Sequence, residues 1–320
     1  MRNNNLDILK ISMAFLVVAL HIFPVSKVEG VVGLISYEIA SGITRIAVPT
    51  FFLISGFFLR HKLEDSAYLG AYMQRLLSIY LVWQLLYLPD VLHYYHLGWF
   101  NKKALLLKML YGYWHLWYLL ATVMAVGLLY WTRHWAVKAK FGMSFLLLAV
   151  GYAFQIVVQS GVCNAFPKVL TFYENIGTTR NFLFFGYPML LLGTLYEHWN
   201  TVVEKIKHLY FPLWVILLVE VAWYFKHQVK AMDFLLVLPL LSMMTFHCVK
   251  TAPNMFQGKI NGTLSLGIYL CHPYAIRVVD AFLPEKGFYD WLLKYPLICL
   301  LAIAFWWLVE QLNKRLPYFY

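Results

Sequence analysis

The chain has 320 residues, of which 62% are hydrophobic, 18% aromatic and only 13% charged. Because soluble domains carry about 25% charged residues, this composition excludes an ordinary soluble protein and indicates an integral membrane protein. The net charge of +11 does not indicate nucleic-acid binding, since the basic residues are spread over nearly every loop and form no stripe with interleaved aromatics.

Apolar stretches long enough to cross a bilayer recur along the whole chain. They predict an all-α, polytopic integral membrane protein with about ten transmembrane helices, in a single domain over residues 1–320. The predicted spans are 8–25, 44–60, 76–93, 113–131, 142–160, 180–197, 209–225, 232–248, 262–282 and 291–311. The connections are too short for a separate soluble domain, so any chemistry is expected among the helices or in short interfacial loops.

The predicted topology places both ends of the chain in the cytoplasm. An even number of spans requires both termini on one side, and Lys314-Arg315 after the last span favours the inside. The first apolar segment lacks a small-residue cleavage site and is followed by further spans, so we expect it to be retained rather than removed as a signal peptide.

The first predicted helix carries ionisable side chains among apolar ones. Asp7 and Lys10 stand at its start, and His21 lies near its end. Lys10 and His21 are 11 residues apart. At about 3.6 residues per turn both project from one face, about 16 Å apart along the axis. Ionisable groups are costly among lipid tails, so this face is expected to turn toward a protein interior or a wet cavity, which predicts a functional site.

The next part of the chain combines turn-forming and helix-packing residues. Residues 25–42 mix glycines with acidic side chains and indicate a loop with a partly interfacial segment. The following span begins near Arg45 and contains Pro49, which predicts a bend. Ser55 and Gly56 allow close approach to a partner helix, with ordinary packing as the alternative.

A short basic loop follows the second span, on the predicted cytoplasmic side. It runs from Arg60-His61-Lys62 to Arg75. Such a cluster is commonly a topology signal. The alternative is a binding site for a phosphate-rich ligand, because the guanidinium of arginine can form two hydrogen bonds to one phosphate.

An aromatic segment, residues 113–118, places His115 and Trp117 among further Trp and Tyr residues. Aromatic residues at a membrane edge are commonly interfacial anchors. A wall of Trp and Tyr beside an imidazole is also what a sugar or another hydroxylated ligand stacks on. Both interpretations stay open at this stage.

Two of the later spans carry further polar residues. Arg180 stands at the entrance of the sixth span, on the predicted outer side. The ninth span contains His272-Pro273, which either kinks the helix or adds another histidine at membrane depth.

Together these features resemble the membrane acyltransferase-3 family over nearly the whole chain. The branch that looks closest contains small acetyltransferases of surface glycans and the membrane halves of certain resistance-associated amino-acid racemases. The resemblance rests on five patterns in order, which are Lys10 to His21, Arg45-Ile-Ala-Val-Pro-Thr-Phe-Phe-Leu-Ile-Ser-Gly56, His115-Leu-Trp-Tyr118, Thr179-Arg-Asn-Phe-Leu-Phe-Phe-Gly186 and Ser265-Leu-Gly-Ile-Tyr-Leu-Cys-His-Pro273.

The resemblance implies transfer of an acetyl or other short acyl group from cytoplasmic acyl-CoA to a hydroxyl of a cell-surface glycan or lipid-linked sugar. It implies His21 as the general base, with Lys10 and Asp7 near the cytoplasmic mouth. The implied contacts to coenzyme A are Arg75, Arg60 and Lys62, and those on the acceptor side are Arg45, His115, Trp117, Arg180 and His272. Acetyl-CoA is the expected donor, without a metal.

The expected partners are acyl-CoA, the saccharide acceptor and the lipids of the cell membrane, without nucleic acid, and a homodimer is left open.

The chain departs from the family pattern twice. Lys10 stands where arginine is usual and keeps the charge but not the bidentate fork, and Ser78 follows Arg75 where a second arginine is common. The alternative function is a carrier for a small polar solute, since proline-broken spans with polar residues also mark transport pathways, although no inverted repeat is visible.

Overall fold

The computed structural model describes residues 4–25, 29–99, 101–170, 179–229, 232–254, 256, 258, 260–283 and 288–315. These residues are largely helical and include no β-strand. The prediction of an all-α protein is therefore confirmed for the described part of the chain.

The helices follow one another with short connections. In chain order they are α1 (Asn4–Ile22), α2 (Gly30–Ser41), α3 (Ala47–Leu59), α4 (Ser66–Leu86), α5 (Leu88–His96), α6 (Lys102–Tyr111), α7 (Trp117–Trp131), α8 (Val137–Gln159), α9 (Tyr187–Thr194), α10 (Tyr196–Ile206), α11 (Tyr210–Lys226), α12 (Leu238–Thr251), α13 (Leu264–Phe282) and α14 (Phe288–Asn313). A 3-10 turn, Ile43–Ile46, precedes α3, and a π-helical turn, Phe182–Gly186, precedes α9.

Among the described residues, five helical stretches are long and apolar enough to cross a membrane, and a sixth counts if α4 and α5, bent by 44°, form one span. The five are Asn4–Ile22, Gly30–Leu59, Val137–Gln159, Tyr196–Lys226 and Asp290–Asn313. A helix lies at each of the other predicted positions, but α7 has 15 residues and α12 has 14, whereas a straight span needs about 20. A membrane protein is thus indicated, and the number of ten spans is not confirmed.

The described residues form two compact units that interleave along the chain. The first unit comprises Met1–Ile54 and Tyr196–Glu310, and the second comprises Ser55–Leu195 and Gln311–Tyr320. In the first unit, α1 packs on α2, on the 3-10 turn, on α12 and most extensively on α13. In the second unit, α7 packs on α4, on α9 and on the π-helical turn.

Helix α2 occupies residues that the sequence analysis interpreted as a loop, so that prediction was wrong. Its buried face is formed by Gly33, Ser36, Tyr37, Ala40 and Ser41. These positions recur at helical spacing, and the face packs on α1 and α11. The Tyr37 hydroxyl donates to the Val229 carbonyl over 3.0 Å. Tertiary packing of small residues therefore outweighs the turn tendency of the glycines.

Gly56 lies in α3 where the helix meets the backbone of α9. A Cβ atom built on Gly56 would overlap the carbonyl group of Leu190 and would lie 3.1 Å from the Cα atom of Gly193. The close approach predicted for Gly56 is therefore confirmed, and only a residue without a side chain fits here.

Replacing Gly56 by alanine is expected to destabilise the protein by about 1–3 kcal/mol, because the added methyl group meets backbone atoms that cannot rotate away. Gly70→Ala in α4 is the matched control, since a Cβ atom there meets nothing within 4 Å. Alanine is favoured over glycine in a helix by up to about 1 kcal/mol, so this control should be neutral or slightly stabilising. Thermal unfolding in detergent measures both, and equal midpoints for the two variants would contradict the packing argument.

Candidate active site

The face of α1 that carries Lys10 and His21 is turned into the first unit. Ala14 and Val17, which lie between them on that face, are 0% and 5% exposed. Ser12, on the opposite face, is exposed. The expectation that this face turns toward the protein interior is therefore met, and both Lys10 and His21 are partly buried.

Lys10 forms an ion pair with Asp7 on the same helix. Its Nζ atom lies 2.6 Å from Oδ1 of Asp7, whose side chain is 7% exposed. The start of α1 is also tied to the end of α12, because the Asn5 amide donates to the carbonyls of Ala252 at 2.9 Å and Val249 at 3.3 Å. Asp7 thus neutralises the charge of Lys10, and hydrogen bonds from Asn5 to the end of α12 hold the start of α1 in place.

His21 contacts His272, which lies far away in sequence on α13. The two imidazole rings are stacked, with centroids 5.2 Å apart and ring planes 19° apart. This separation is within the range of offset-stacked aromatic pairs. His272 is 0% exposed, whereas His21 is partly exposed. The structure therefore joins the predicted base to one of the residues predicted for the acceptor side.

Arg45 is paired with an acidic residue that the sequence analysis did not single out. Its Nη1 atom donates to Oδ1 of Asp233 over 2.8 Å, and both side chains are 9% exposed. The 3-10 turn that carries Arg45 packs on α1 and α12. Asp233 interrupts an apolar stretch, and a lone carboxylate in such a stretch signals a cationic partner elsewhere. Arg45 thus has a structural role next to α1.

His115 lies in the second unit, in an aromatic surrounding. It is 3% exposed and meets the ring of Tyr87 edge-on, with centroids 5.4 Å apart. Tyr87 in turn contacts Tyr113 at 5.4 Å. Trp117, at the start of α7, is partly buried. His115 is therefore buried beside Tyr87 and is not a surface anchor.

The segment before His115 is held in place by Gln84 of α4. The Gln84 side chain accepts from the Tyr113 N–H at 2.9 Å and donates to the Lys108 carbonyl at 3.2 Å. Trp114 adopts a positive φ of 48°, which is uncommon for a residue other than glycine. Such conformations persist where the surroundings determine them, and they cluster at functional sites. A glutamine inside an apolar helix was the signal for this contact.

Arg180 and Lys108 are two cations close enough to affect one another. Burial is the main cause that lowers the pKa of Lys108, and the charge of Arg180 lowers it further. Arg180 is exposed, whereas Lys108 is partly buried. A role was predicted for Arg180 but not for Lys108, because the two residues are distant in sequence.

The amine of Lys108 is expected to lose its proton at a lower pH than an ordinary lysine amine, because burial and the charge of Arg180 lower its pKa. Labelling of lysines with acetic anhydride over a pH series, read by mass spectrometry, gives the midpoint for each amine independently of its accessibility. Arg180→Ala should move the Lys108 midpoint upward, because it removes one of the two causes that lower this pKa. An unchanged Lys108 midpoint would contradict the proximity of the two cations.

The residues predicted to contact coenzyme A also lie in the second unit. Arg60 donates to the Phe57 carbonyl over 2.6 Å, and its guanidinium lies 3.8 Å from the centroid of the Phe57 ring. Lys62 and Arg75 are exposed, and Lys62 lies 5.3 Å from the centroid of the Tyr68 ring. Arg60 therefore covers the end of its own helix, and only Lys62 and Arg75 present their charges to the surface.

A hydrogen-bonded chain around His247 was missed by the sequence analysis. Nδ1 of His247 shares a hydrogen bond of 3.0 Å with the Tyr196 hydroxyl, and Nε2 of His247 donates to the carboxylate of Glu204 over 3.0 Å. Tyr196 and His247 are buried. A histidine in an apolar span was the available signal, and the chain links α10 to α12 in the first unit.

Comparisons with known proteins identify a family and relatives of this chain. A family described as "Acyltransferase domain" matches residues 3–311. The chain is 28% identical over 328 residues to a serine/alanine racemase of Enterococcus gallinarum, covering 95% of this chain and 45% of that protein. It is 27% identical over 302 residues to an amino-acid racemase of Enterococcus faecalis, covering 88% and 42%.

The chain therefore spans less than half the length of these two relatives. No solved structure matches it significantly. The domain match begins before α1 and reaches the last turn of α14, so it includes the face with Lys10 and His21 and the contact of His21 with α13. Because the match extends over nearly the whole chain, this protein belongs to the membrane acyltransferase-3 family.

Proposed function

We propose that this protein is a membrane-embedded acyltransferase that moves an acetyl or other short acyl group from cytoplasmic acyl-CoA to a hydroxyl of a cell-surface glycan or lipid-linked sugar. The observation that carries the proposal is the match of the acyltransferase domain to residues 3–311. The polar face of α1 supports it, because this face turns an imidazole toward the interior of a membrane protein, where it is suited to acid–base chemistry.

In the proposed reaction, His21 acts as the general base. The acceptor hydroxyl attacks the thioester carbonyl while His21 takes its proton, which gives a tetrahedral intermediate. The C–S bond then breaks, and His21 returns the proton to the thiolate of coenzyme A. The products are the acyl ester and free coenzyme A. A positioned base contributes about 10²–10⁴-fold to such a step.

The other residues fall into proposed donor and acceptor groups. Lys62 and Arg75 would meet the phosphates of coenzyme A, since both are exposed cations. His115 and Trp117 would line the acceptor side with Arg180. The Asp7–Lys10 pair would set the electrostatic field at the cytoplasmic mouth.

The proposed topology has ten spans in one domain of the cell membrane, with both termini in the cytoplasm. Bent or short helices, such as the α4–α5 pair and α7, would complete the ten. Labelling of single engineered cysteines with a membrane-impermeant reagent in intact cells tests this arrangement, and modification of a cysteine after α14 from outside would contradict it.

A second candidate function is a membrane carrier for a small polar solute. The names of two relatives identify amino acids as the solutes to test, since both are racemases of amino acids and one is named for serine and alanine. In this case the polar face of α1 would line a path for the solute instead of a reaction centre.

One experiment separates the two functions. Membranes with and without the protein are incubated with acetyl-CoA labelled in the acetyl group, and sealed vesicles are incubated with labelled L-serine. Protein-dependent label in glycan or lipid-linked sugar supports the acyltransferase, and mass spectrometry of envelope glycans should show a shift of one acyl group. Accumulation of serine without acyl transfer would overturn the proposed enzyme in favour of the carrier.

A further inference from the structure

His272 lies fully buried in α13, directly before a proline within the helix. In an α-helix the carbonyl of Tyr269 would accept a hydrogen bond from the backbone N–H of residue 273. Pro273 has no N–H, so it leaves this carbonyl without its helical donor. The Nδ1 atom of His272 lies 2.7 Å from that carbonyl oxygen and 3.3 Å from the one of Ile268. The imidazole therefore supplies the hydrogen bond that the proline removes.

This hydrogen bond fixes both the tautomer and the orientation of the His272 ring. A carbonyl oxygen only accepts, so Nδ1 carries a hydrogen and the lone pair of the neutral ring lies on Nε2. A ring flip would cost the bond to Tyr269 at a position that is 0% exposed. The His-Pro sequence thus produces a rigid imidazole inside a membrane helix.

The ring of His21 lies against this rigid imidazole, with centroids 5.2 Å apart and ring planes 19° apart. His21 is in the last turn of α1, which ends at Ile22, and its side chain is partly exposed. Helix ends fray, so a side chain there needs support from a neighbouring element to keep a single orientation. His272 provides that support from α13.

We propose that His272 is a positioning residue for His21. Its ring, held by the Tyr269 carbonyl that Pro273 leaves open, is the surface on which the His21 imidazole stacks while it accepts the proton of the acceptor hydroxyl. The inference rests on the proposed role of His21 as the base. His272 takes no proton in this step and stays neutral, because two imidazolium rings at this distance would repel each other.

The test compares four variants by the transfer of labelled acetyl from acetyl-CoA to envelope glycan in membranes. His272→Ala is expected to lower kcat by about 10²-fold, the cost of misplacing a catalytic group, while the KM for acetyl-CoA stays the same. His272→Phe keeps a flat ring for stacking and should recover about two- to tenfold of that loss, since ring contacts of this kind are worth about 0.5–1.5 kcal/mol. His21→Ala serves as the reference for the activity that remains without the proposed base.

Pro273→Ala tests the origin of the ring orientation. It restores a backbone N–H that competes with His272 for the Tyr269 carbonyl, so kcat should fall without a change in KM. Thermal unfolding of each variant in detergent controls for loss of fold. A rise in the unfolding midpoint of Pro273→Ala together with a lower kcat would support positioning, since a purely structural role would not separate stability from rate.

The outcomes distinguish this inference from the proposed function. If His21→Ala is inactive and His272→Ala keeps the wild-type kcat, the positioning role is overturned and the acyltransferase stands. If His272→Phe is no more active than His272→Ala although both are folded, stacking is overturned as its cause. If the wild-type protein transfers no acyl group, the proposed function itself fails.

Discussion

Replacing His21 by alanine is expected to lower acyl transfer by about 10²–10⁴-fold, because the substitution removes the group that accepts the hydroxyl proton. The KM for acetyl-CoA should change little, since the imidazole acts in the transition state and not in donor binding. The fold should persist, because His21 is only partly buried at the last turn of α1. Initial rates of acetyl transfer in membranes, normalised to the amount of protein, measure the effect.

Ser12→Ala is the matched control for His21→Ala, because Ser12 lies on the exposed, opposite face of the same helix. This variant should keep wild-type rates and stability. If the His21→Ala protein unfolds at the wild-type temperature and transfers acyl groups at the wild-type rate, the assignment of the base is wrong.

Breaking the Arg45–Asp233 pair is expected to have the largest effect on stability. Removal of one partner of a buried ion pair typically costs about 3–5 kcal/mol, because the other charge is left inside the protein. Both side chains are 9% exposed, and their atoms lie 2.8 Å apart, so Arg45→Ala should destabilise the protein by about this amount. Chemical unfolding in detergent measures the change.

The double variant Arg45→Ala/Asp233→Ala decides whether the pair acts as a unit. It should be more stable than either single variant, because neither charge is left unpaired. If the losses of the single variants simply add, the two residues do not stabilise each other. The same proteins test the predicted acceptor role of Arg45, since a folded but inactive double variant would support a contact between Arg45 and the substrate.

Local sequence features were sufficient for the first helix. The predicted span 8–25 corresponds to α1, Asn4–Ile22, and the shared face of Lys10 and His21 follows from helix periodicity alone. The Asp7–Lys10 pair was also predictable, because residues three apart in a helix are neighbours. The close packing at Gly56 was predictable in the same way, since a small residue in an apolar helix indicates close packing.

Helix α2 and the number of membrane spans show where local features fail. Glycines and acidic residues between 25 and 42 favour a loop, but burial against α1 and α11 stabilises a helix there. Hydropathy shows how long an apolar stretch is, but it does not show where the helix within that stretch ends. The short lengths of α7 and α12 were therefore not predicted. Tertiary contacts decide these features.

Composition and periodicity therefore suffice for an all-α membrane protein organised around a helix with a buried polar face, because the cost of burying charge and the helical repeat act within a single segment. The partners of that face are a different matter. Arg45 and Asp233 are 188 positions apart, and His21 meets His272 only because α1 packs on α13. Such contacts depend on how the segments pack, and no feature within a single segment specifies them.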